Sequence, residues 1–122
     1  MALPEATRVL IVENDELNAM LLQLQLEGAG FAVVGVAGGV ADALQMIDEM
    51  QPQLAFLDYW LSRSETSAPI AEQLKQRGIP FLVATGMDIS QLPPVFDAGI
   101  KLSKPYTGAD LSQALAQSLA TT

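Results

Sequence analysis

Short apolar runs alternate with longer amphipathic segments along the chain. Residues 9–12 form a compact run of mostly branched apolar side chains, which is typical of a strand buried on both faces. We predict further strands from similar runs over residues 31–36, 54–57, 81–84 and 100–102. Between these runs, apolar residues recur every three or four positions, which predicts helices over residues 17–27, 40–50, 70–77 and 111–119.

This alternation predicts an α/β fold. Strands that alternate with helices build βαβ units, and these units give a doubly wound parallel sheet covered on both faces. The link between the fourth and fifth strands departs from the pattern, because Pro93 and Pro94 leave room for only a short or broken helix. In the first helix, four large side chains share one face and are expected to pack in the core: Leu17, Met20, Leu21 and Leu24.

The composition fits one packed domain and excludes several chemistries. Half of the 122 residues are apolar, which is enough for one core. The chain has no histidine and no cysteine, which excludes a histidine-based triad, a histidine-ligated zinc site, a phosphohistidine carrier and a disulfide framework. The glycine-containing residues 35–39 match neither the dinucleotide-binding pattern nor the P-loop pattern, and we interpret them as a tight strand-to-helix turn.

The net charge of −8 limits the kinds of partner. Six basic residues, spread thinly along the chain, give no basic surface for DNA or RNA and disfavour an anionic membrane. No apolar run reaches the roughly 18–20 residues that a membrane span needs, and residues 1–7 lack the pattern of a secretory signal. We therefore expect a cytoplasmic protein.

Polar side chains follow four of the predicted strands. In open parallel sheets, ligand sites form beyond the carboxyl ends of the strands. The polar residues that end the apolar runs are therefore expected to meet at one edge of the sheet: Glu13, Asn14, Asp15, Asp58, Thr85 and Lys104.

Four motifs at these strand ends resemble the response-regulator receiver domains of two-component signalling. The motifs are VLIVEND, LAFLDYWL, LVATGM and LSKPY, and they occur in that family's order and spacing. The resemblance implies one receiver domain over residues 1–122, with a flavodoxin-like five-stranded sheet in the order 2-1-3-4-5. It is closest to a mostly single-domain subgroup with a Phe-Ala-Thr-Gly-x-Tyr signature, although residues 83–87 here read VATGM and lack both aromatics.

The resemblance also implies a role for each polar strand end. Asp58 would accept a phosphoryl group from a sensor histidine kinase or a phosphotransfer protein and become an aspartyl phosphate. The Thr85 hydroxyl and the Lys104 ammonium would contact the phosphoryl oxygens, with a cis peptide bond between Lys104 and Pro105. The output would pass through protein contacts to a downstream partner, in a signalling module rather than an enzyme. A weak homodimer through the fifth strand and the last helix is expected by analogy.

The family further implies a magnesium ion near the acceptor. Its ligands here would be Glu13, Asn14, Asp58 and the backbone carbonyl of Trp60. Asn14 stands where the family usually has a second acid, so the magnesium affinity is expected to fall by about 1–3 kcal/mol. Asp15 is one residue further along and is interpreted as the N-cap of the first helix.

Other departures from the family leave two further readings open. Trp60 either covers the site or packs on its loop, and Lys101 occupies the position of the usual switch aromatic, while Tyr106 is interpreted as packing. These departures allow a pseudo-receiver that binds its partner without phosphorylation. An enzyme on the same fold is disfavoured, because a haloacid-type phosphatase needs a second acid at position 60 and a flavodoxin needs a phosphate loop in place of residues 13–15.

Overall fold

A computed structural model describes residues 6–120 and contains one parallel sheet flanked by helices. The strands are β1 Arg8–Val12, β2 Ala32–Ala37, β3 Leu54–Asp58, β4 Phe81–Thr85 and β5 Ile100–Ser103. They are paired in the order β2-β1-β3-β4-β5, as predicted. The helices of the described range are α1 Glu16–Gly28, α2 Val40–Met50, α3 Ala68–Arg77 and α4 Gly108–Ala120. None of them is long and apolar enough to cross a membrane.

The connection from β4 to β5 contains no α-helix, which confirms the prediction for this segment. It consists of two 3₁₀ turns, Ile89–Gln91 and Pro94–Ala98. Asp88 caps the first turn by accepting the backbone N–H of Ser90. The chain then enters β5 through Gly99, which lies directly against Phe81 of β4.

The sheet separates two apolar cores because successive side chains of a strand point to opposite faces. Along β1, Val9 and Ile11 face α1 and α4, whereas Leu10 and Val12 face α2, α3 and the 3₁₀ turns. All four side chains are fully buried. The near-continuous apolar runs of the sequence follow from this burial on both faces.

The prediction that four large side chains of α1 pack in the core is wrong. Leu17, Met20, Leu21 and Leu24 are 51–61% exposed. The helix instead buries Ala19, Leu22 and Leu26, which also recur at helical spacing. Because α1 is apolar on both faces, periodicity alone could not tell which stripe meets the sheet.

Candidate functional site

Asp58 and Lys104 form an ion pair at the carboxyl edge of the sheet. Asp58 ends β3, which lies between β1 and β4, and Lys104 directly follows β5. The Lys104 Nζ donates to Asp58 Oδ1 over 2.8 Å. The Asp58 side chain is 14% exposed and that of Lys104 is 35% exposed, so the pair is partly shielded from water. A shielded pair interacts more strongly than a surface pair.

Thr85 lies beside this pair, and its hydroxyl makes no described hydrogen bond to either side chain of the pair. The backbone N–H of Lys104 donates to Thr85 O over 2.8 Å, which joins the ends of β4 and β5. The buried Thr85 hydroxyl accepts the backbone N–H of Met87 over 3.1 Å. The peptide bond between Lys104 and Pro105 is cis, as the resemblance implied.

Glu13 directly follows β1, and its carboxylate lies close to Asp58. Burial raises the pKa of Glu13 above its ordinary value, and the negative charge of Asp58 raises it further. A bond from the backbone N–H of Asp15 to Glu13 Oε1 (3.0 Å) and the charge of Lys104 partly offset this rise in pKa. Asp15 itself caps α1, because its Oδ1 accepts the Asn18 N–H over 2.9 Å. The structure thus gives Asp15 the capping position that we expected.

Asn14 uses its amide as a donor. Its Nδ2 donates to the backbone oxygen of Gly38 over 3.2 Å, in the turn that joins β2 to α2. A carboxylate at this position could not donate that bond. The tight turn expected at residues 35–39 is shorter than predicted: residues 35–37 still belong to β2, and α2 begins at Val40, so only Gly38 and Gly39 form the turn.

Trp60 lines an open cavity of about 570 Å³ that also contains Asp58. The indole is 47% exposed and makes an edge contact with the Tyr59 ring at a centroid distance of 5.3 Å. It therefore flanks Asp58 and also packs on its own loop. Nine residues line this cavity: Glu13, Asn14, Asp15, Asn18, Asp58, Trp60, Leu61, Ser62 and Arg63. Arg63 could not be predicted as a lining residue, because no motif contains it.

A second groove of about 630 Å³ runs from α1 to Lys104. Leu21 and Leu24 of the exposed α1 stripe line this groove together with Lys104 and Tyr106. Tyr106 is half-buried and packs against Phe56, which confirms the packing role predicted for it. Burial raises the pKa of Tyr106, and the charges of Glu13 and Asp58 raise it further. Glu13 also lines this groove, which therefore opens next to the carboxylates.

The oxygen atoms around Asp58 are suited to a hard cation. The residues expected to hold magnesium all line one cavity: Glu13, Asn14, Asp58 and Trp60. Magnesium prefers oxygen ligands and commonly uses only one or two carboxylates with several waters. Within residues 6–120 no group of three or more acidic, histidine or cysteine residues could hold a metal. The two carboxylates of Glu13 and Asp58 and the neutral oxygen-bearing groups of Asn14 and Trp60 are donors of the kind that magnesium accepts.

Comparison with known proteins places this chain in a family. The model of the response regulator receiver domain matches residues 9–116. The chain is 31% identical over 111 residues to the transcriptional regulatory protein PdtaR of Mycobacterium tuberculosis, covering 88% of this chain and 54% of PdtaR. It is 28% identical over 127 residues to the phyllosphere-induced regulator PhyR of Methylorubrum extorquens, covering 98% of this chain and 46% of PhyR. The chain thus spans about half the length of these curated relatives.

The solved structures that match include one that aligns over nearly its whole length. The solution structure of SdrG from Sphingomonas melonis Fr1 superposes with a TM-score of 0.81 and 37% identity. The match covers 96% of this chain and 99% of SdrG. Together with the match of the family model, it shows that the chain belongs to the response regulator receiver domain family.

Proposed function

We propose that this domain is a phosphoacceptor of two-component signalling and that Asp58 takes the phosphoryl group from a phosphohistidine donor. The observation that carries the proposal is the ion pair between Lys104 and Asp58 at 2.8 Å, which aims a fixed positive charge at the acceptor. Lys104 occupies Oδ1 of Asp58, which leaves Oδ2 for attack on phosphorus. A bond from Oδ2 to phosphorus forms, the bond from phosphorus to the donor imidazole nitrogen breaks, and that nitrogen keeps the electron pair.

The residues around Asp58 would lower the repulsion between two anionic groups. Phosphoryl transfer depends mainly on positioning and on electrostatic stabilisation. As negative charge moves onto the phosphoryl oxygens, the Lys104 ammonium would shift its contact from Asp58 to those oxygens. The Thr85 hydroxyl would give up its hydrogen bond with the Met87 N–H and bond to one of them. Receiver domains generally bind magnesium at their acidic site. When bound by Glu13, Asp58 and the neutral oxygens of Asn14 and Trp60, magnesium would offset negative charge on the phosphoryl group.

The donor protein would dock on α1. Four large apolar side chains of this helix face water, and the groove beside them leads to Lys104. The helix carries no lysine or arginine, and its exposed polar residues include the uncharged Asn18 and Gln25. A patch of this size is much smaller than the roughly 20–30 residues per side of a standard interface, so it suits a brief encounter. A sensor histidine kinase or a phosphotransfer protein would be such a donor.

Intact-mass measurement tests the acceptor. The protein is incubated with magnesium and a small-molecule phosphate donor, alongside the Asp58→Asn variant and a competent receiver. We expect the wild-type mass to rise by one phosphoryl group and the variant mass to stay unchanged. A wild-type chain that gains no mass while the competent receiver does would refute the proposal.

A second candidate function is partner binding without phosphorylation. The neutral Asn14 favours it, because the amide is engaged with Gly38 and brings no negative charge to the cation site. Lys101 in place of the usual switch aromatic is paired with Asp97 and also favours it. Partner affinity distinguishes the two functions. The wild type and Asp58→Asn of a pseudo-receiver bind the partner with the same affinity, and adding the phosphate donor does not change it.

A further inference from the structure

The turn between β2 and α2 is bonded from both sides by loops that border the Asp58 cavity. On one side, the N–H of Glu13 donates to Ala37 O, and Asn14 Nδ2 then donates to Gly38 O. On the other side, Glu65 Oε1 accepts the backbone N–H of Val40 over 2.9 Å. We call the four residues Asn14, Gly38, Val40 and Glu65 the loop clamp.

Glu65 replaces the missing side-chain cap of α2. The N-cap residue is Gly39, which has no side chain to accept the free N–H groups of the first turn. A Cβ atom at position 39 would lie only 3.1 Å from Glu65 Oε1. A glycine at this position therefore lets a carboxylate from a distant loop approach the helix end, where the helix dipole also favours a negative charge.

The backbone of Glu65 fixes the wall of the cavity. The N–H groups of Leu61 and Ser62 both donate to Glu65 O, over 2.9 and 3.2 Å. Trp60 and Thr66 close the same loop through an antiparallel bridge. The loop thus holds Trp60 and its neighbours to Glu65, and the Glu65 side chain holds the loop to α2. Four consecutive residues of this loop, 60–63, line the Asp58 cavity.

We propose that Glu65 and Asn14 are positioning residues, which hold the Trp60 wall beside Asp58 by clamping the β2–α2 turn from opposite sides. The proposal gives Asn14 a function that an acid could not perform, because only the amide can donate to Gly38 O. The asparagine exchanges one negative charge at the cation site for a bond that orders the cavity. The effect on phosphoryl transfer rests on the proposed function, whereas the effect on Trp60 does not.

Quenching of Trp60 fluorescence by acrylamide tests the clamp directly, because Trp60 is the single tryptophan of the chain. The comparison uses Glu65→Met, which cannot accept the Val40 N–H, and Glu65→Gln, whose amide oxygen can. Glu72→Met is the matched control, since Glu72 is exposed and bonds only locally to Gln76 among the described contacts. Circular dichroism verifies that each variant is folded.

The indole is 47% exposed in the folded chain, so full release would about double its accessibility. We expect a quenching constant up to about two-fold higher for Glu65→Met, and values close to wild type for Glu65→Gln and Glu72→Met. An unchanged constant in folded Glu65→Met would overturn the proposal. So would a Gln variant as perturbed as the Met variant, because it would show that the accepted hydrogen bond does not hold the loop.

A double variant tests whether Asn14 and Glu65 act through the same turn. Asn14→Asp should also raise the quenching constant, measured without metal. The double variant Asn14→Asp, Glu65→Met should show less than the product of the two single effects, since both act through one turn. Independent effects would refute the shared clamp.

Phosphoryl gain is followed separately by intact mass in the same variants. We expect it to be slower in Glu65→Met and restored in Glu65→Gln. Equal rates in the two variants would overturn the positioning role. If even the wild-type chain gains no phosphoryl group, the proposed function fails, whereas the quenching experiment still decides whether the clamp exists.

Discussion

Lys104 reaches across the end of β4 to donate to Asp58 of β3, although the two residues are 46 positions apart in the chain. We predict that Lys104→Met slows phosphoryl gain strongly, because the fixed positive charge at the acceptor is lost. Because the Asp58 side chain is only 14% exposed and loses its partner, we also expect folding stability to fall by about 1–3 kcal/mol. Intact mass over time and thermal unfolding measure the two effects. Lys101→Met, which removes the ion pair with Asp97 instead, is the matched control.

Replacing Glu13 by glutamine should stabilise the fold at neutral pH and weaken magnesium binding. Burial raises the pKa of Glu13 in the folded chain, so the folded state favours the protonated acid. The stability linked to this preference is present below the ordinary value of 4.5 and is lost as the pH rises through the raised value. Denaturant unfolding of both proteins should therefore show a gap at pH 7 that shrinks as the pH approaches 4. A gap that widens on acidification would contradict the raised pKa.

Gly99→Ala should destabilise the fold by about 1–3 kcal/mol through overpacking. A Cβ atom at this position would lie 2.4 Å from a ring carbon of Phe81 and 2.7 Å from the backbone oxygen of the same residue. Neither group is the flexible end of a side chain, so β5 would have to shift. Gly108→Ala serves as the control, because its Cβ would meet nothing within 4 Å. Equal unfolding midpoints for the two variants would contradict the prediction.

The exposed stripe of α1 can be tested apart from the acceptor chemistry. Leu24→Ser should change the free energy of unfolding by less than about 0.5 kcal/mol, because Leu24 is 61% exposed. Leu26→Ala on the buried face of the same helix should cost about 2–5 kcal/mol. If the donor docks on the stripe, Leu24→Ser slows transfer from a phosphorylated donor protein but not from a small-molecule donor. Equal slowing with both donors would place Leu24 outside the docking surface.

Ser67→Ala should leave the stability unchanged or raise it by up to about 1 kcal/mol. The Ser67 Oγ is buried and has no hydrogen-bond partner among the described residues. Although Ser67 is the N-cap of α3, its side chain makes no capping bond. Thermal unfolding of the variant checks this prediction, and a clear loss of stability would show that the hydroxyl has a partner.

Most of the sheet could be predicted because strands buried on both faces leave long apolar runs in the sequence. The motifs at the ends of these runs indicated the acceptor and its neighbours, since the carboxyl ends of parallel strands share one edge. The orientation of α1 could not be predicted, because both of its stripes satisfy the helical period. Glu65 was also missed: its partner Val40 is 25 positions away, and a lone loop glutamate carries no pattern that distinguishes it from a solvated acid.

The hydrogen bond from the Met87 N–H to the Thr85 hydroxyl connects the carboxyl edge of the sheet to the β4–β5 segment, which has no α-helix. A Thr85 hydroxyl that turned toward a phosphoryl oxygen would release the N–H of Met87. The next residues lead into the proline-rich 3₁₀ turns, which lack the cooperative hydrogen-bond ladder of a helix. Losing this one hydrogen bond would change the conformation of a short backbone segment that few hydrogen bonds stabilise. It would not tilt a whole α-helix. A partner would then recognise the local conformation of residues 86–99, the segment of the described fold in which proline-rich 3₁₀ turns take the place of an α-helix.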